Sequence, residues 1–191
     1  MFARALNTIH KVFNNEELRS ILTKLRYPIV LIFFILLITQ IKPALFWPGF
    51  LVTLFGELIQ AWSFASLEKN RTLSIKGPYM FTRNPMYIGR FFLLLGCMLL
   101  MGNIWAILVF CVLYYFYMVN RVKREEKRLL GLFGEAYKNY CQKVNRFVPS
   151  FRISDRRSWL FFKGSLFFQN NGHWNLLAVL SCYVVFYLFT F

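Results

Sequence analysis

The sequence predicts an all-α protein, a polytopic membrane bundle of about five transmembrane helices in hairpins, with further helices on the cytoplasmic face. Composition is the first reason: 58% of the 191 residues are hydrophobic and 20% aromatic, and the mean hydropathy is +0.46, beyond the range of soluble domains this size. The second is the grouping of those residues into five apolar runs, Tyr27 to Ile41, Ala44 to Leu67, Met86 to Met101, Ile104 to Val119 and Trp174 to Phe191. The third is the placement of charge between the runs.

Each element follows from its stretch of chain. Phe2, Leu6, Ile9 and Phe13 recur at helical spacing among polar and basic residues, the pattern of a helix lying on the inner membrane surface, and residues 1–26 hold no continuous apolar core of the signal-peptide kind. Residues 27–119 form a four-span core. Its shorter runs reach only ~24 Å of a ~30 Å hydrocarbon layer, so interfacial residues such as Tyr27, Arg90 and Asn120 must extend them. Gly102-Asn103 makes a tight outer turn between spans three and four, and Gly77-Pro78 marks a turn in the inner connection that runs from Glu68 to Asn84. Residues 120–149 read as a helical cytoplasmic segment, RVKREEKRLLGLFGEAYKNYCQKV, broken by Pro149 and then by Ser154-Asp155. Residues 150–191 comprise an aromatic interfacial stretch and the C-terminal span.

The formal charge of +15 would suit nucleic acid if it lay on one soluble face. Instead it follows the spans. Five basic residues precede the first, five fall between the second and the mouth of the third, twelve lie between the fourth and fifth, and Lys42 alone of the 23 lies on the other side. This positive-inside pattern puts the N-terminus and the chemistry on the cytoplasmic side and the C-terminus opposite. Topology accounts for the charge, and no nucleic-acid partner is expected. Cys97, Cys111 and Cys182 lie in apolar runs, Cys141 stands alone, and His10 and His173 sit at opposite ends of the chain. Neither a metal site nor a disulfide framework is implied.

Two stretches hold chemistry. TRNPMYIGR, residues 82–90, places asparagine and proline where a helix favours its N-cap and first residue, and Tyr87 and Arg90 share one side of the first turn. This is a capped transmembrane helix with interfacial anchors, or an anion site built from the helix N-terminus and Arg83. Glu125-Glu126 are two of only eight acids. They are explained by a salt-bridged helix, with Arg121 and Arg128 within reach of Glu125, or by a site for a cationic ligand or a proton. Together the stretches suit a zwitterion. Glu57, inside the second span with Gln60 a turn away, either borders a cavity in the bundle or pairs with a neighbouring helix; Gly56 reads as a packing residue.

The segments GPYMFTRNPMYIG (Gly77 to Gly89) and REEKRLLGLFGEAYKNYCQKVNRFVP (Arg124 to Pro149) resemble the integral-membrane methyltransferases that include isoprenylcysteine carboxyl methyltransferases and phospholipid N-methyltransferases. That family's ordered pattern is GPY, then R-H/N-P-x-Y-x-G, a hydrophobic hairpin, E-E-x-x-L, F-G, two spaced tyrosines and a proline. The resemblance implies S-adenosylmethionine as methyl donor and a lipophilic acceptor, an isoprenylcysteine carboxylate or a phospholipid amine, arriving from the bilayer. It implies that Tyr79, Arg83, Asn84 and Tyr87 line the cofactor pocket, that Glu125 meets the cofactor's amino group, and that Glu126 and Arg121 lie nearer the acceptor. Asn84 departs from the histidine of many carboxyl methyltransferases and cannot titrate near neutral pH. The tail GEAYKNYCQKVNRFVP is also similar to nicotinamide-dependent membrane sterol reductases, which carry additional spans. A non-enzymatic scaffold whose basic inner surface binds membrane lipids is the remaining alternative.

Overall fold

The computed structural model describes residues 10–69, 72–150 and 156–191. Phe2, Leu6 and Ile9, Arg71 and the Ser154-Asp155 break lie outside them. Among the described residues the structure is helical throughout, with no strand.

Residues 10–14 are helical. Helix α1 (Glu16–Lys24) starts at Asn15, whose side-chain oxygen accepts from Leu18 N at 3.1 Å, and Glu16 and Glu17 sit in its first turn where the helix dipole favours acids. At Leu25 the chain bends by 62° into α2 (Arg26–Gln40). Helix α3 (Pro43–Ser66) and helix α4 (Pro85–Met101) follow, linked by a loop that contains a 3₁₀ turn at Gly77–Met80. Gly102, at φ 59°, ends α4 in the left-handed conformation that glycine tolerates, and Asn103 then caps α5 (Ile104–Lys143) by accepting from Trp105 N and Ala106 N at 3.0 and 3.2 Å. Short helices α6 (Arg156–Trp159) and α7 (Gly164–Gln169) precede α8 (Gly172–Thr190).

Helices α3, α5 and α8 are long and apolar enough to cross a membrane, α1 and α2 pass together as one bent span, and α4 is apolar but only 17 residues long. Of the expected five spans, three helices and the bent pair meet the length and composition of a crossing segment, and α4 falls short in length. The expected boundary after Val119 is absent, because α5 continues through Asn120 into the charged stretch without interruption. Its break comes at Gly134, where φ 49° and ψ −122° leave the helical region.

The hairpin expected from the first two spans is not the main packing unit. The principal pair is α3 with α4, and α2 lies against α4 and α8. Glycine explains this: a Cβ on Gly56 would stand 2.5 Å from Gly89 O, and one on Gly89 would stand 2.8 Å from Gly56 O. Gly49 and Gly96 repeat the arrangement, at 2.9 and 2.5 Å. Small residues let two backbones close in where no larger side chain fits. Leu37, Phe46, Leu100, Tyr183 and Phe186 then form a core uniting α2, α3, α4 and α8. The outward faces of α2 and α5 stay apolar and exposed, including Ile29, Val30, Ile32, Leu108, Val109 and Val112, as lipid contact requires.

Glu57 is buried in α3, and its Oε2 accepts from Asn175 Nδ2 of α8 at 2.6 Å. Of its two readings the structure shows the helix-pairing one. Further along, Asn170 Nδ2 donates to Phe64 O and Leu67 O at 2.9 and 2.7 Å, satisfying the carbonyls left open where α3 ends.

Candidate functional site

The C-terminal end of α3, the N-terminal end of α4 and the second half of α5 border a cavity of about 240 Å³. Its wall contains Tyr79, Arg83, Asn84, Tyr87 and Glu125, the five residues expected to line a cofactor pocket. Arg121 and Glu126 lie outside that lining.

Three strands of local chemistry build this arrangement. Tyr79 lies in the 3₁₀ turn, and its carbonyl accepts from Tyr140 Oη at 2.6 Å, so the second of the two spaced tyrosines anchors the GPY turn. Arg83 N donates to Asn145 O at 3.0 Å, Thr82 Oγ1 donates to Arg146 O at 2.9 Å, and Ser150 N donates to Phe81 O at 2.8 Å. The chain after α5 therefore clasps the chain before α4. Tyr114 Oη of α5 donates to Tyr87 O at 2.7 Å and fixes the first turn of α4.

Asn84 occupies the N-cap position, but its side chain makes no bond to the helix. The expectation of an asparagine side-chain cap is corrected: Asn84 Nδ2 donates to Arg146 O at 3.2 Å. That partner draws the amide away. The first-turn donors of α4, whose residues Pro85, Met86 and Tyr87 line the cavity, keep their positive dipole end toward it.

The two glutamates part ways. Glu125 Oε2 accepts from Tyr87 Oη at 2.6 Å, and Tyr87 Oη in turn accepts from Arg121 Nε at 3.3 Å. Arg90 stands with its guanidinium carbon 5.8 Å from the Tyr87 ring centre. Glu126 is buried between arginines from other parts of the chain, with Oε2 accepting from Arg146 Nη2 at 2.5 Å and Oε1 lying 3.5 Å from Arg83 Nη2. Side by side in sequence, the two carboxylates sit about 100° apart around a helix and face different partners.

Two further stretches complete the wall. Leu67, Glu68, Lys69, Thr72, Leu73 and Ser74 close one side, with Glu68 N donating to Ser74 Oγ at 3.0 Å and Thr72 Oγ1 donating to Glu68. No motif marks that loop. Leu129, Phe133, Tyr137 and Tyr140 supply the apolar side, and they are the leucine, phenylalanine and two spaced tyrosines of the second sequence segment. Burial pushes the phenols of Tyr79, Tyr137 and Tyr140 above the ordinary tyrosine range, and the nearby charges of Glu125 on Tyr79 and of Glu126 on Tyr137 add to it. All three stay neutral hydrogen-bonding groups at physiological pH.

The cavity therefore has an acidic pole at Glu125, a cationic pole at Arg83 and the α4 N-terminus, and an aromatic wall. Arg83 Nε is buried without a hydrogen-bond partner among the described residues. A ligand with a zwitterionic amino-acid end and a ring to lie on the aromatic wall fits this donor set, and S-adenosylmethionine has both.

Residues 45–136 match the phospholipid methyltransferase family model. The chain is similar to protein-S-isoprenylcysteine O-methyltransferases from Schizosaccharomyces pombe, 33% identical over 82 residues covering 43% of this chain and 35% of that one. The corresponding protein of Xenopus laevis is 26% identical over 113 residues, covering 53% and 39%, and that of Rattus norvegicus is 25% identical over 128 residues, covering 55% and 45%. The chain thus spans less than half the length of these relatives. Over residues 45–136 the chain is thus similar to the integral-membrane methyltransferases that include phospholipid and isoprenylcysteine carboxyl methyltransferases.

Proposed function

We propose that this integral-membrane protein transfers a methyl group from S-adenosylmethionine to the carboxylate of an isoprenylcysteine held in the bilayer, at the cytoplasmic face. The observation that carries this reading is the cavity with opposed charge poles, built from the two sequence segments that resemble the family. The relatives' names, all isoprenylcysteine O-methyltransferases, support the acceptor, and the basic inner connections support the orientation, with the N-terminus inside and the C-terminus opposite.

When bound, the donor supplies a methyl on a positively charged sulfur that becomes neutral on transfer. Arg83 and the first turn of α4 hold its carboxylate, with Asn84 fixing the entry to that turn. Glu125, oriented by Tyr87, holds its ammonium. Tyr79, Phe133, Tyr137 and Tyr140 exclude water, so attraction between opposite charges is weakly screened and the reacting atoms meet in a preorganised, dry site. Arg121, hydrogen-bonded to Tyr87, orients the acceptor carboxylate.

Glu126 bears on the choice of acceptor. A phospholipid amine must lose a proton before or during transfer, and Glu126, expected on the acceptor side, would be the base that takes it. Its Oε2 is held by Arg146, its Oε1 lies beside Arg83, and the residue stands outside the cavity lining. A carboxylate acceptor needs no base. The phospholipid amine remains the second reading, favoured by the matching family model and by Asn84.

The test is to incubate membranes containing the chain with methyl-labelled S-adenosylmethionine, then extract and identify the product. Label released by mild base, as from a methyl ester on a prenylated cysteine, is expected. Base-stable label on a phospholipid amine would establish the second reading. No labelled lipid, together with no binding of S-adenosylmethionine by the purified chain, would defeat both and favour a lipid-binding scaffold.

A further inference from the structure

Arg146 follows α5 on the tail that clasps the entry to α4, and none of the roles read from the sequence uses its side chain. Its Nη2 donates to Glu126 Oε2 at 2.5 Å, a short charge-assisted hydrogen bond. Arg83 Nη2, on the other side of the same carboxylate, stands 3.5 Å from Oε1, beyond good hydrogen-bond geometry. Glu126 Oε1, Arg83 Nε and Arg146 Nε are all buried without a hydrogen bond among the described residues. Glu126 is therefore committed to Arg146. Arg83, which lines the cavity, keeps donors to spare.

We propose that Arg146 is a positioning residue for the anion pole of the cavity: by holding Glu126, it keeps that carboxylate from closing onto Arg83 and cancelling the charge offered to the ligand. Within this cluster, two arginines and one glutamate leave a single net positive charge. Without the Arg146 guanidinium the sum is zero, and the short gap between Glu126 and Arg83 closes into a two-pronged pair. The inference rests on the reading of the cavity as the donor site, whose carboxylate is the anion concerned. Substituting the side chain leaves the clasp standing, because Thr82 and Asn84 donate to the Arg146 backbone carbonyl and Arg83 N donates to Asn145 O.

The experiment measures affinity for S-adenosylhomocysteine, which keeps the donor's carboxylate and ammonium, by calorimetry on the full chain in detergent. The panel is the wild type, Arg146→Gln, Arg146→Lys, Glu126→Gln and the double variant Arg146→Gln/Glu126→Gln. Loss of one charge-assisted contact predicts about tenfold weaker binding for Arg146→Gln. Arg146→Lys should bind as the wild type does. The double variant should return close to wild-type affinity, since no carboxylate remains to close on Arg83, and Glu126→Gln alone should bind no more weakly than the wild type.

Unchanged affinity in Arg146→Gln would overturn the proposal, as would a double variant at least as weak as that single one, the pattern of a merely structural residue. Should Arg146→Gln fail to fold in a thermal scan, Glu126→Gln decides alone: affinity equal to or tighter than wild type supports the proposal, and a tenfold loss overturns it. Absence of binding by the wild type would instead defeat the donor-site reading, and this inference with it.

Discussion

Tyr87 shows how much one side chain decides in this site. Its hydroxyl donates to Glu125 and accepts from Arg121, its ring lies beside the Arg90 guanidinium, and its carbonyl is held by Tyr114. The tyrosine thus orients the acidic pole while tying it to the arginine proposed for the acceptor. Removing the hydroxyl and removing the carboxylate should have graded effects. Glu125→Gln takes away the charge that faces an ammonium and should weaken S-adenosylhomocysteine binding by about tenfold or more, whereas Tyr87→Phe, losing one orienting hydrogen bond, should cost a few-fold. Calorimetry on detergent-solubilised protein reads both; equal affinity for wild type and Glu125→Gln would remove Glu125 from the proposed site. In the sequence, Tyr87 and Glu125 were each recognisable through their motifs. That they touch was not, because 38 residues and a membrane hairpin separate them.

At the scale of elements, most helices were legible and their partners were not. Expected spans and observed helices α2, α3, α4 and α8 agree to within two residues at each end, since apolar runs flanked by proline, glycine and asparagine declare their limits. The α5 boundary failed for a physical reason: RVKREEKR is polar but rich in helix formers, so leaving the membrane does not end the helix. Packing of α3 on α4 depends on glycines that face each other only in the folded bundle. Gly56→Val places side-chain atoms against the Gly89 carbonyl and should destabilise the protein by about 2 kcal/mol or more. By contrast, a Cβ on Gly131 meets nothing within 4 Å, and Gly131→Ala should be neutral or stabilise its helix by up to about 1 kcal/mol. Thermal unfolding in one detergent compares the two, and similar melting temperatures would contradict the close-packing account.

Over the whole molecule, the C-terminal helix is joined to the matched region by polar contacts as well as apolar ones. Asn175 meets Glu57, Tyr183 and Thr53 share a hydrogen bond of 2.6 Å, and Asn170 satisfies the end of α3. Asn170, Asn175 and Tyr183 lie beyond residues 45–136, yet Leu67, which Asn170 holds, lines the cavity. Asn175→Leu should destabilise the protein by about 1–3 kcal/mol, because it strands a buried carboxyl group, whereas the double variant Glu57→Leu/Asn175→Leu should recover most of the loss. A double variant as unstable as the single, in the same unfolding assay, would refute that pairing as the cause.

The sequence by itself determined the helical membrane class, because a chain this apolar can satisfy its backbone in lipid only within each segment, and that is local information. It also located the residues of the cavity through two ordered motifs. Only the tertiary structure decided which partner each charged group meets. Glu125 and Glu126 are neighbours of the same type in one helical stretch, indistinguishable by composition or spacing. Their roles diverge because Tyr87 meets one, while Arg83 and Arg146, brought in by the clasp between the chain before α4 and the chain after α5, enclose the other. Distant segments supply those partners, and no local pattern records their approach.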